Sequence, residues 1–298
     1  MKSFITHKMN EIFYDFHRDL NRMKRFCVLK GLRFDKDPLP DYSIPVIQRL
    51  YLLRYFPGYL VEYYLMYKEM LKKDFLGDQL NIISIGSGCG IDFWGCKFAN
   101  DELEKKKKIR YTGLDKVNWK YQDNLGIREC YFLHDDINRL NALDEDKYNV
   151  IVFPNSIGEF SNNTYANLEA IIKNTDFSCD RVMILSAIRK SRDTIDKARV
   201  AKIVTILETE YNYLCLDDES EYMIFEENEH DYHDRLGYIC PHFIYPPEIL
   251  GYLRNLNSKC TGYIGNCNRP HDNDCSQMDR NPILTTSQIM YQVLRFER

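Results

Sequence analysis

The sequence predicts an α/β fold: a mainly parallel sheet with helices on both faces and a late antiparallel strand at one edge. Three observations predict it. From Asn81 onward, short apolar runs alternate with helical stretches, the pattern of repeated β and α units. The first run, Asn81-Ile-Ile-Ser-Ile-Gly-Ser-Gly-Cys-Gly-Ile-Asp92, is rich in β-branched residues until it breaks into Gly86, Gly88 and Gly90. Two later runs end in acids, Asp115 and the pair Asp135 and Asp136, where a strand gives way to a loop.

The elements follow in order. Ile5, Met9, Ile12, Phe13, Phe16, Leu20, Met23 and Cys27 recur at three- and four-residue steps, the apolar stripe of an amphipathic helix that ends before Gly31. Pro38, Pro40 and Pro45 punctuate a loop, 46–56 read as a second helix, and Pro57 starts a third that runs to about Lys73. In that third helix Tyr59, Tyr63, Tyr64 and Tyr67 suit core packing, with a substrate pocket as the alternative. Strands are expected at 81–85, 109–114, 130–133, 149–153 and 181–186, with helices near 92–107, 165–173 and 194–208. Residues 211–216 and 221–225 read as a hairpin, and 289–296 as a final edge strand. Between them, about 230–286 has little apolar periodicity and reads as an irregular excursion. The expected organisation is a helical N-terminal cap over 1–78 and a sheet domain over 79–298 with an insertion at about 229–286.

Charge is uneven along the 298 residues, whose formal net charge is −4. Residues 1–80 carry 14 Lys/Arg against 10 Asp/Glu, whereas 203–234 hold no Lys or Arg. Such an acidic stretch repels phosphate, and no basic stripe suited to tracking a nucleic-acid backbone is evident. The N-terminus lacks the apolar segment of a secretory signal, and no run has the length of a membrane span. A cytoplasmic protein is expected, its ten cysteines mostly thiols.

Three glycine-rich chemistries compete at Gly86. A phosphate-cradling loop requires Lys where Cys96 stands after Gly90-Ile-Asp-Phe-Trp-Gly95, and a dinucleotide fingerprint requires glycine where Ile91 stands. What remains is Gly-x-Gly-x-Gly after a strand. This pattern, with Ile109-Arg-Tyr-Thr-Gly-Leu-Asp115 and Tyr131-Phe-Leu-His-Asp-Asp-Ile137, resembles the class I S-adenosylmethionine-dependent methyltransferases over about residues 80–210. The resemblance implies a Rossmann-like, seven-stranded sheet of order 3-2-1-4-5-7-6 and S-adenosyl-L-methionine as cofactor. It places Gly86, Ser87, Gly88 and Gly90 against that cofactor, Asp115 on its ribose, and Asp136 with Ile137 on its adenine, with Asp135 as the near alternative. One carboxylate can accept both hydrogen bonds of a vicinal diol. The family usually carries an acid at the position of Ser84, so the contact to the cofactor's amino group is open there, with Asp92 as a substitute.

The fourth strand ends in Phe153-Pro-Asn-Ser-Ile-Gly-Glu-Phe160, the region that this family turns toward the methyl group and its acceptor. Asn155 and Ser156 offer hydrogen bonds there, Asn155 to cofactor or acceptor, and Glu159 can accept a proton. The Asp/Asn-Pro-Pro-Tyr/Phe motif of amino-directed nucleic-acid enzymes is absent. A small-molecule or protein acceptor is therefore expected. RNA is the alternative, on the basis of Arg18, Arg22, Lys24, Arg25, Lys30 and Arg33, and a scaffold protein without turnover is another. In the excursion, Cys240, Cys260, Cys267, His271 and Cys275 are candidate zinc ligands, although the spacing is not that of a paired knuckle and isolated thiols are expected instead.

Overall fold

A computed structural model describes residues 1–23, 26–34, 39–122, 129–143, 148–189, 193–224, 244–260, 275, 278–282 and 289–298. The chain divides into two compact units, Met1–Tyr59 with Glu227–Thr286, and Leu60–Glu226 with Ser287–Arg298.

The second unit holds the sheet. Its strands are β1 (Gln79–Ile85), β2 (Lys108–Asp115), β3 (Cys130–His134), β4 (Val150–Pro154), β5 (Arg181–Arg189), β6 (Leu214–Cys215), β7 (Met223–Ile224) and β8 (Ile289–Glu297). They lie in the order β3-β2-β1-β4-β5-β8-β6, with β7 also on β8. The pairings among β1 to β5 are parallel, and those of β8 with β5, β6 and β7 are antiparallel. Counting β8 as the seventh strand gives 3-2-1-4-5-7-6, so the α/β, Rossmann-like fold class holds. Ile82, Ile83, Ile85, Val150, Ile151 and Phe153 are buried, as expected of central parallel strands covered on both faces.

Two expectations for the late strands are corrected. Strand β8 is interior, because Gln292, Val293 and Leu294 are buried in succession and fill both faces of the sheet. The segments expected to form a hairpin instead pair separately with β8. Gln292 holds the connection between them by donating to the carbonyls of Glu219 and Glu221 at 2.8 and 3.1 Å. The acidic stretch is partly consumed here: Asp217 accepts from Arg295 and from Lys73 Nζ, the latter at 2.9 Å.

Helices α1 (Lys2–Met23), α2 (Pro45–Lys72), α3 (Ile91–Asp101), α4 (Asn162–Asn174) and α5 (Asp193–Tyr211) precede two short helices, α6 (Pro247–Arg254) and α7 (Leu256–Cys260). Helix α3 stops earlier than expected because Asn100 ties off the chain, donating to the carbonyl and accepting from the amide of Lys107. The lysines that follow are paired: Lys105 with Asp78, Lys106 with Asp101 and Lys107 with Asp74. A Cβ on Gly95 would fall 2.8 Å from the backbone of Tyr63 and Tyr64, so glycine permits the close crossing of α3 and α2. Tyr59, Tyr63, Tyr64 and Tyr67 are all buried, which makes the aromatic stripe core.

In the first unit, Ile5, Met9, Ile12, Phe16 and Leu20 of α1 are buried at helical spacing, as the sequence predicted. The second and third expected helices are one: α2 runs through Pro57. Proline removes the amide that would bond the carbonyl of Leu53. Tyr245 replaces it, its buried hydroxyl donating to that carbonyl at 2.7 Å. The excursion is less irregular than expected, since Ile249 and Leu253 are four apart and buried on α6, followed by Leu256 on α7. Tyr252 packs edge-on against Phe13 and His17, and Arg280 donates to the carbonyl of Leu32, which joins the late segments to the early ones. No described helix is long and apolar enough to cross a membrane.

Candidate functional site

Strands β1 and β4 are neighbours, and from them the chain winds outward in opposite directions, β1 toward β2 and β4 toward β5. Their carboxyl ends are therefore the switch point, where open α/β sheets leave a crevice. Both loops that the sequence singled out meet there, since Ser156 donates from the β4 end to the carbonyl of Ile85.

Gly86, Gly88 and Gly90 have φ of +72°, +57° and +76°, the left-handed region that side chains disfavour. Two of them are also closely packed: a Cβ on Gly86 would collide with Ser156, and one on Gly90 would lie 2.5 Å from the Phe132 ring. Gly88 differs: among the described residues a Cβ there would meet Trp119 at 3.8 Å, an ordinary contact. The amides of Gly86 and Ser87 both donate to the carbonyl of Leu114, at 2.8 and 3.1 Å. The Ser87 hydroxyl is buried beside Gly113 and has no hydrogen-bond partner among the described residues.

Asp115 ties this loop to the end of β2. One carboxylate oxygen accepts from the Gly88 amide and the other from the Val117 amide, each at 2.8 Å. Burial pushes its pKa up, while these amides and the nearby Trp119 indole partly offset the shift. A carboxylate oxygen with one amide bond keeps a lone pair for a further donor.

Ser84 and Asp92 come together beneath the loop, and both are fully buried. Asp92 accepts from the Tyr111 hydroxyl at 2.9 Å and from the Tyr67 hydroxyl at 3.4 Å. Burial raises its pKa to about 6, with the neighbouring Ser84 hydroxyl and the bonds from the two tyrosines opposing the shift. The carboxylate sits under the crevice, so its position fits support of the loop better than direct contact with a ligand's amino group.

Asp136 caps the turn Ile137–Arg139, accepting from the Asn138 amide at 2.9 Å and from its side chain at 2.7 Å. Asp135 in turn accepts from the Asp136 amide, and Ile137 is buried. At the β4 end, Asn155 has a φ of +58°, uncommon for a residue with a side chain, and its amide is held between the carbonyls of Phe153 and Ala187. Glu159, exposed at the surface, forms an ion pair with the largely buried Arg189 at the end of β5, so its charge is balanced by a residue of the chain itself. Arg199 braces the same turn, donating to the Ile157 carbonyl at 2.7 Å and to Asn162 at 3.2 Å.

Several residues of the site were not anticipated. Trp119 lies against Gly88, Gln122 donates to the Gly88 carbonyl at 3.0 Å, and Phe132 fills the space beside Gly90 and Gly113. One signal was present for Trp119, which is one of two tryptophans in the chain and follows the acid by four residues. Of the candidate zinc ligands, Cys260 is a free thiol, Cys275 is buried, and Cys240, Cys267 and His271 lie outside the described residues. Among the described residues no group of three or more His, Cys, Asp or Glu is placed to hold a metal.

No protein-family model matches this chain, and no curated protein does. Among solved structures, it is similar to the plantazolicin methyltransferase BpumL, solved with SAH and a monoazolic desmethylPZN analog, at 14% identity and a TM-score of 0.42 over 99% of each chain. It is similar to the YcgJ protein of Bacillus subtilis at 10% identity and a TM-score of 0.40, over 78% of this chain and 98% of that one. A third is a SAM-dependent methyltransferase from Thiobacillus denitrificans in complex with S-adenosyl-L-homocysteine, at 13% identity and a TM-score of 0.35, over 78% of this chain and 91% of that one. At this level of likeness the fold class rests on the chain's own strand order, and nothing about activity follows.

Proposed function

We propose that the sheet unit binds S-adenosylmethionine at the carboxyl end of β1 and transfers its methyl group to a small-molecule or protein acceptor. The observation that carries this reading is the loop 86–90: three left-handed glycines at the switch point of a 3-2-1-4-5-7-6 sheet, tied through an amide to the acid that ends β2. The residues fit such a ligand. Gly88 offers backbone without a Cβ, Asp115 keeps lone pairs that suit a vicinal diol, and the turn at Asp136 and Ile137 stands one strand away to bound an adenine. When bound, the cofactor supplies a methyl carbon activated by an adjacent sulfonium.

The chain's own contribution is alignment, which supplies much of the rate of an in-line displacement. Ser156 fixes the β4 loop to β1, and the Asn155 amide ties it to β5, on the acceptor side. Because Glu159 is paired with Arg189, its use as a base requires that pair to open, which favours an acceptor that already presents a lone pair, such as an amine. The same pairing supports a second reading, a binding protein that keeps the fold without turnover. RNA is the alternative acceptor; of the basic residues on which it rests, Arg18 is paired with Asp15 and Asp19.

Calorimetric titration with S-adenosylmethionine, S-adenosylhomocysteine and NAD tests the reading. Binding of the first two without NAD, weakened about tenfold or more by Asp115→Ala, is expected. An Asp115→Ala protein that folds and binds as tightly as the parent would remove Asp115 from the site.

A further inference from the structure

Directly after Gly90, the first turn of α3 carries a carboxylate that solvent does not reach. Gly90 itself caps α3 without a side-chain bond, leaving Asp92 as the acid in the turn where the helix dipole favours negative charge. Around it stand Ser84 of β1, Tyr67 of α2, Tyr111 of β2, Cys96 of α3 and Cys130 of β3. None of these is a cation, so hydroxyl donors and the residue's own amide hold the ionised form. Each carboxylate oxygen takes one tyrosine, Oδ1 from Tyr111 and Oδ2 from Tyr67. Protonation turns one of those oxygens into a donor and forces a tyrosine hydroxyl to turn away.

We propose that Asp92, with Tyr67 and Tyr111 acting through it, is a positioning residue for the loop 86–90, and that the loop's affinity for an adenosyl ligand follows the ionisation of this carboxylate. The inference rests on reading that loop as an adenosyl site. Loop and network share Gly90, whose left-handed φ sets both the path of the loop and the start of α3. Burial brings the carboxyl to about 6, so the charge is present at neutral pH and lost under mild acid.

The test is calorimetry with S-adenosylhomocysteine from about pH 5 to about pH 7.5 on the parent, Asp92→Asn, Tyr111→Phe and Tyr67→Phe, with unfolding temperatures of the unliganded proteins alongside. The parent's affinity is expected to rise about tenfold through the range. In Asp92→Asn that rise disappears, apart from any slope contributed by Asp115, which also touches the loop. Removing a donor to the ionised form moves the midpoint upward, more in Tyr111→Phe than in Tyr67→Phe, whose bond is longer. A rise with pH that persists unchanged in Asp92→Asn overturns the proposal. If that variant does not fold, an unmoved midpoint in Tyr111→Phe overturns it equally. A parent that binds no adenosyl ligand overturns the reading of the site as well, an outcome distinct from the other two.

Discussion

The two loops that meet at the switch point are built differently. At the end of β1 the chain presents backbone: glycines with left-handed φ and amides turned to partners, one of them Gly88, whose amide donates to the acid that ends β2. At the end of β4 the chain presents side chains and then engages them internally, Ser156 with the Ile85 carbonyl and Glu159 with Arg189. The first loop has the form of a general cradle, and the second that of a braced wall. Backbone geometry can suit a ligand shared by many proteins, whereas the acceptor side depends on which charges the wall leaves uncommitted.

The contrast breaks most sharply at Gly90. In Gly90→Val, the left-handed φ and the clash with Phe132 act together, at roughly 1–2 kcal/mol for the backbone and 1–3 kcal/mol for the overpacking. Unfolding measurements should show the combined loss, and calorimetry should show no adenosyl binding. Retention of both parental stability and affinity would mean that the loop tolerates a side chain and is no cradle.

A second prediction sharpens the contrast through pH. Asp92 ionises at about 6 in the folded chain against an ordinary value of 3.8, so as pH rises the unfolded chain releases this proton first. Between those values the unfolded state binds fewer protons, and this group's contribution to stability falls with rising pH, reaching its full cost above about 6. That cost is about 3 kcal/mol. Relative to the parent, Asp92→Asn should therefore gain stability of this order between about pH 4 and about pH 7.5 in denaturant titrations. A difference that does not vary with pH would mean that the carboxyl is not perturbed.

The smallest expected effect is on the β4 side. Glu159→Gln removes one ion pair from the largely buried Arg189, at a cost of about 1–3 kcal/mol, while adenosyl affinity should stay within about twofold of the parent. A large loss of adenosyl affinity in a folded variant would merge the two loops into one functional surface.

What could be read in advance follows the same division. Strands β1 to β5 and the glycine loop have local signatures, namely apolar runs, β-branching and glycine spacing. The network around Asp92 has none, because Tyr67, Asp92 and Tyr111 come from two helices and a strand and meet only after folding. Asp136 meets the strand-end pattern expected of an adenine contact, and an acid in that place also satisfies a short turn, which its Oδ1 does through Asn138. Strand β8 looked like an edge because alternation was weighed above total burial; Gln292, polar yet buried, has its amide on two carbonyls. Pro57 is the sharpest case. A proline reads locally as a helix start, and what lets α2 continue through it is supplied by a residue far along the chain.

That residue also bears on the order of folding. Tyr245 lies 192 positions after the carbonyl it serves, and the unit it completes is split between the two ends of the chain's path, Met1–Tyr59 and Glu227–Thr286. At ribosomal speeds of about 5–20 residues per second, roughly 10–40 s pass between the two partners. Throughout that interval the apolar stripe of α1 and the proline turn of α2 are already made, while Tyr245, Ile249 and Leu253 are not. The nascent N-terminal helices thus begin life as an incomplete core, dependent on a late-arriving tyrosine, and their exposure to chaperones and proteases is set by translation time.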